Sequence, residues 1–167
     1  MADYYTQGSF AFTCSHAEMA LIEEAFQASH DLENGDTPSE PTPEFLAAFP
    51  SALPDDPWSG FVTIFDDPEF PSFGVEFEGG NTVDQPGVST VSMWSMIDFQ
   101  PAALAALIHR CCQETLRQAP IGFEFGFSCT RARQDGFGGG WCAVFADRIE
   151  IETTREALSL ALEGGIL

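Results

Sequence analysis

The stretch Ile121-Gly122-Phe123-Glu124-Phe125-Gly126-Phe127-Ser128-Cys129 decides what kind of fold this chain can adopt. A large apolar side chain or Cys occupies every second position, and Gly, Glu, Gly and Ser fill the gaps. A period of two belongs to a strand with one face in a core and the other in water. Phe123, Phe125, Phe127 and Cys129 therefore point inward and Glu124 outward. A Gly-rich segment then leads into a second strand over 139–146, so the two strands form a hairpin. Residues 148–152 alternate in turn, with Ile149 and Ile151 inward. Thr153 with Glu156 three residues on makes a capping box that opens a last helix to about Glu163.

The same alternation occurs at the other end of the chain. Residues 8–14 place Phe10, Phe12 and Cys14 on one face of a strand. Ser15 and Glu18 form a second capping box, starting a helix to about Ser29. Met19, Ile22 and Phe26 are its buried stripe; Glu18, Glu23, Glu24 and Gln27 face water or a partner. Residues 31–57 hold six of the eleven prolines and seven acids, and read as an acidic surface loop in which Pro43 opens a short helix over 44–49. Strands follow at 60–65, 72–78 and 87–95, separated by turn residues at 66–69 and 79–81. A second long helix covers 100–118, with Leu104, Leu107, Ile108, Cys111 and Leu116 on or near its buried side.

This order, with its short strand connections, implies an α+β domain spanning 1–167. It is a mainly antiparallel sheet with two long helices and one short C-terminal helix packed on one face. The opposite face stays in water and collects Glu76, Glu78, Glu124, Glu150 and Glu152.

The 167 residues are 44% hydrophobic and include 16 Phe, enough to build a core. Against this stand 26 Asp plus Glu and only 6 basic residues, all Arg, for a net charge of −20. Phosphate backbones and anionic membrane surfaces repel such a chain, so direct nucleic-acid and membrane binding are not expected. No apolar run approaches the ~20 residues of a spanning helix, and no signal-like leader is apparent, which implies a soluble, unsecreted protein. The charge is also uneven: residues 1–109 carry 18 carboxylates and no Lys or Arg, whereas the last 58 hold 8 carboxylates and all 6 Arg. Halophilic or merely solubilising acidity is one explanation; a functional acidic surface is the other.

Motifs for chemistry are incomplete. His16-Ala17-Glu18 matches the H-x-E half of a zinc deaminase site, but no P-C-x-x-C supplies the thiolates. The five cysteines (14, 111, 112, 129 and 142) contain no C-x-x-C and read as reduced core residues, with Cys129 and Cys142 flanking the hairpin. None of the acidic clusters fits a calcium loop. Gly136-Phe137-Gly138-Gly139-Gly140 leads to a strand and lacks a following Lys-Ser/Thr, so it reads as a hairpin connection and not as a phosphate loop.

Ser128-Cys129-Thr130-Arg131-Ala132-Arg133 followed by Phe137-Gly138-Gly139-Gly140 resembles a T-C-S-K-P-R…F-G-G-G pattern of small plasmid- and phage-borne proteins. Cys129, Arg133 and Phe137–Gly140 agree; Thr130, Arg131 and Ala132 depart. The resemblance covers about the last 50 residues and implies a mobile-element protein acting in the cytoplasm of a bacterial host. In charge and size alone, the chain is also similar to DNA-mimic anti-restriction and anti-CRISPR inhibitors.

Together these features give a working expectation. The protein is a non-enzymatic inhibitor or interaction protein without a cofactor, imitating nucleic acid to block a basic groove of a host defence or DNA-binding protein. The carboxylates expected to meet that partner are Glu18, Glu23, Glu24, Asp55, Asp56, Asp66, Asp67, Glu69, Glu76 and Glu78. The competing expectation is an enzyme or small-molecule-binding domain centred on the Cys129–Gly140 hairpin.

Overall fold

A computed structural model describes residues 1–82 and 85–164. Strand β1 (Tyr4–Ser15) runs directly into helix α1 (His16–Glu33), and α2 (Pro43–Ala48) follows. After a 3₁₀ turn at Phe61–Ile64 come β2 (Glu76–Asn81) and β3 (Val88–Ser95). Helices α3 (Pro101–Cys111) and α4 (Gln113–Gln118) precede β4 (Ile121–Cys129), β5 (Gly138–Val144), β6 (Ile149–Thr153) and α5 (Thr154–Gly164). The strands form a six-stranded sheet in the order β2-β3-β1-β4-β5-β6, antiparallel throughout.

β1 links the two halves of this sheet. Its first residues, Tyr4–Gln7, pair with β4, and Gly8–Ser15 pair with β3. On the core face, Phe12, Val91, Met93, Phe123, Phe125, Cys142 and Val144 meet Met19, Ile22, Leu104, Leu107 and Ile108 of α1 and α3. Phe10 stacks on Phe123 with ring centroids 4.3 Å apart, closing the seam between β1 and β4 on that side. Gly79 lets α1 approach β2, because a Cβ there would lie 1.6 Å from the Met19 methyl carbon.

Several expectations need correcting. Residues 60–65 are not a strand. Phe61 and Phe65 lie one helical turn apart and turn into an aromatic cluster with Phe45, Phe49, Trp58 and Phe73. Thus the segment after α1 is acidic outside and aromatic inside, and Trp58 is buried. The helix expected over 100–118 breaks at Cys112, whose backbone leaves helical geometry at φ −114°, ψ 33°. The C-terminal helix α5 matches α3 in length at 11 residues and buries none of them. Ile151 faces the helix side but remains exposed on edge strand β6.

The glycine run of the β4–β5 hairpin works mainly by close approach. Only Gly138 has positive φ (143°). A Cβ on Gly139 would stand 2.5 Å from the Phe125 carbonyl oxygen, and one on Gly140 would stand 2.6 Å from the Phe125 ring.

Candidate functional site

The uneven charge of the chain becomes an uneven charge in space. β2, β3 and β1 form one half of the sheet, with α1 packed on them, and none of these elements contains a basic Lys or Arg. Arg110 and Arg117 lie on α3 and α4, Arg131 and Arg133 in the β4–β5 connection, Arg148 between β5 and β6, and Arg155 on α5. Among the described residues the ion pairs are those of Arg148 with Asp147 and with Glu150, each at 3.1 Å.

The ten carboxylates expected to meet a partner separate into three groups. Glu18 is withdrawn from the surface altogether, at 5% exposure. Its Oε1 accepts from the Ser15 backbone N–H at 2.9 Å, completing the capping box, and from the Thr115 hydroxyl. Its Oε2 accepts from the Thr115 N–H at 3.1 Å, in the first turn of α4. One carboxylate thus caps two helices, which is why burial is tolerated: every oxygen has a donor.

Glu24, Asp56 and Asp67 are partly occupied by the fold. Glu24 accepts from the Thr42 N–H (2.9 Å) and hydroxyl (2.7 Å), tying α1 to the start of α2. Asp56 accepts from the Trp58 N–H at 2.9 Å, and Asp67 from the Glu69 N–H at 3.1 Å. The remaining six, Glu23, Asp55, Asp66, Glu69, Glu76 and Glu78, are exposed.

Glu76 and Glu78 belong to the open sheet face, and the register shows what accompanies them. Glu76 lies opposite Trp94, which lies opposite Ser9. Glu124 lies opposite Trp141, which lies opposite Glu152. Glu78 faces Ser92, and Glu150 faces Ala143. All five carboxylates expected on this face are there, but none stands directly across from another; Trp, Ser or Ala intervenes. That spacing removes the repulsion that adjacent like charges would impose. Between Trp94 and Glu124 a shallow groove of about 470 Å³ opens, floored by Ser9, Gly8 and Gly126. Composition and alternation identified these acids; the interleaved tryptophans depend on register across separate strands.

Among the described residues no group of three or more His, Cys, Asp and Glu is placed to hold a metal. His16 is exposed while Glu18 turns inward, so the H-x-E pair does not converge. All five cysteines are free. Burial pushes the Cys111 thiol up, and burial likewise raises Cys142 to about 12. A side-chain hydrogen bond with Cys14, reinforced by burial, raises Cys112. Cys129 pairs with Tyr4 and Cys142 with Phe123, well apart along the hairpin.

A larger groove of about 1030 Å³ lies where the β4–β5 connection meets the start of β1 and α5. Tyr4, Phe127, Phe137 and Leu158 give it apolar walls, and Asp98, Asp135 and Arg155 add charge. No described helix is long and apolar enough to cross a membrane. Compared with known proteins, the chain matches no protein-family model, no curated protein and no solved structure.

Proposed function

We propose that this protein is an acidic, non-enzymatic interaction protein that occupies a basic nucleic-acid-binding groove on a host defence or DNA-binding protein. The observation that carries this reading is the segregation of charge: an arginine-free half-sheet beside a half that holds most of the few cations. Acidity acquired for solubility alone has no reason to empty one half of the molecule of cations. The scale also fits. A domain of this length has a radius of gyration of roughly 15 Å, hence a span near ~40 Å. Duplex DNA presents one charge per ~1.7 Å, or about 24 over that span, against a net −20 here. Glu23, Asp55, Asp66, Glu69, Glu76 and Glu78 are the contact carboxylates; Glu24, Asp56 and Asp67 contribute charge while holding the fold.

The test is capture from a bacterial lysate on the immobilised protein at low salt, with elution by duplex DNA. The reading requires DNA to release a specific basic protein. A bound fraction indifferent to DNA and to salt would refute it.

A second reading, a small-molecule site at the hairpin, is favoured by the groove between Tyr4, Phe137 and Leu158. Reversing the charges of Glu23, Asp66 and Glu69 separates the two: it abolishes groove-blocking and leaves hairpin-centred binding intact.

A further inference from the structure

We infer that the open sheet face is an arginine-reading surface, and that its occupant is an arginine-bearing segment of a basic protein partner. This rests on the reading above and adds to its contacts Glu124 and Glu152 of the sheet face, with one side-chain chemistry for that part of the partner. Trp94 and Trp141 stand on this face with carboxylates across the neighbouring strands: Glu76 beside Trp94, and Glu124 and Glu152 on either side of Trp141. Directly opposed side chains on adjacent strands have Cβ atoms about 4.5–5.5 Å apart. A cation lying on either indole is therefore within reach of a carboxylate at its edge. These three carboxylates have no cationic partner within 4.0 Å among the described residues. Apart from the Arg148–Glu150 pair at the β6 edge, the carboxylates of this face have no cation beside them among the described residues.

The groove makes the preference more specific. Trp94 forms one wall and Glu124 another, and glycine and serine keep the floor low. A flat group slides between such walls more readily than a compact one. The guanidinium of Arg is planar, weakly hydrated, stacks on aromatic faces and donates in a fork that matches a carboxylate. The Lys ammonium is a strongly hydrated point charge and gains less from an indole. A surface selected for negative charge alone would treat the two alike; this one combines stacking planes with acceptors.

The test titrates the full chain with octa-arginine and with octa-lysine peptides at about 50 mM NaCl, by calorimetry and by tryptophan fluorescence. Trp58 is buried at 8% exposure, so a change in emission reports Trp94 and Trp141. We expect octa-arginine to bind at least about fivefold more tightly than octa-lysine and to shift the emission. The isosteric pair Glu124→Gln with Glu152→Gln, and separately Trp141→Leu, should weaken octa-arginine tenfold or more. Asp36→Asn with Glu40→Gln, two exposed acids on the segment between α1 and α2, should change it less than twofold. Unaltered thermal melting of each variant establishes that folding is not the cause. Equal affinity for the two peptides overturns the inference, as does loss of binding in the Asp36/Glu40 variant alone; both outcomes leave the acidic-mimic reading standing. Absence of binding by either peptide overturns both.

Discussion

Replacing Glu18 by Ala tests the link between local sequence and long-range architecture. The side chain is buried and receives three hydrogen bonds, from the Ser15 N–H, the Thr115 N–H and the Thr115 hydroxyl. Truncation leaves two backbone N–H groups and one hydroxyl without their acceptor, at the start of α1 and at the start of α4. Bonds to a charged group contribute roughly 1.5–3 kcal/mol each, and an orphaned buried donor costs about 1–3 kcal/mol. Against this, the variant no longer desolvates a carboxylate and gains about 0.5 kcal/mol of helix propensity. The expected net loss is about 3–4 kcal/mol, a large fraction of the ~5–15 kcal/mol typical of a folded domain. With a urea dependence near ~2 kcal/mol per molar, the unfolding midpoint should fall by about 1.5–2 M at unchanged slope. Glu18→Gln, which keeps one acceptor, should fall about half as far. Exposed Glu23→Ala is the control, expected within ~0.5 kcal/mol of wild type. If Glu18→Ala and Glu23→Ala melt alike, the double-capping account is wrong.

Three further expectations follow from the same contacts. Gly79→Ala should cost about 1–2 kcal/mol, since its Cβ would overlap the Met19 methyl; combining it with Met19→Ala should give a marked non-additive recovery in urea melts. The thiols of Cys111, Cys112 and Cys142 have raised folded-state pKa values, so above about pH 9 the unfolded chain loses protons that the folded chain keeps. Stability should therefore fall as pH rises from 9 toward 11, by up to ~1.4 kcal/mol per pH unit for each thiol; Cys142→Ala should reduce that slope, and a flat profile would contradict the burial of these groups. With −20 charges and cationic contacts confined to Arg148 among the described residues, raising NaCl from 0.02 to 0.5 M in calorimetry should raise Tm by about 3–6 °C.

Short-range patterns carried much of the architecture. The alternation at 121–129 gives β4 with Phe123 and Phe125 buried and Glu124 exposed, and Ser15 with Glu18 marks the start of α1 to the residue. The placement of Glu76, Glu78, Glu124, Glu150 and Glu152 on one face follows from period two alone. What stayed hidden depends on partners distant in the chain. Phe61-Val62-Thr63-Ile64-Phe65 suits a strand by composition, but an aromatic cluster built from residues 45–73 captures Phe61 and Phe65 on one side of a turn. Nothing local breaks the helix at Cys112; the N-terminus of α4 is stabilised by Glu18, 97 positions away from Thr115. For the same reason Glu18, a surface acid by helical periodicity, is a core residue. The pairing of Trp141 with Glu124 and Glu152 needs strand register, which alternation does not specify.

The central claim, that an acidic surface substitutes for nucleic acid in a basic groove, is tested most directly by the salt dependence of the captured partner's affinity in the presence and absence of duplex DNA. The account predicts that Kd weakens at least about tenfold between 50 and 300 mM NaCl, and that DNA competes for the same site. An affinity that changes less than about twofold over that range, with DNA and this protein bound together, would contradict it.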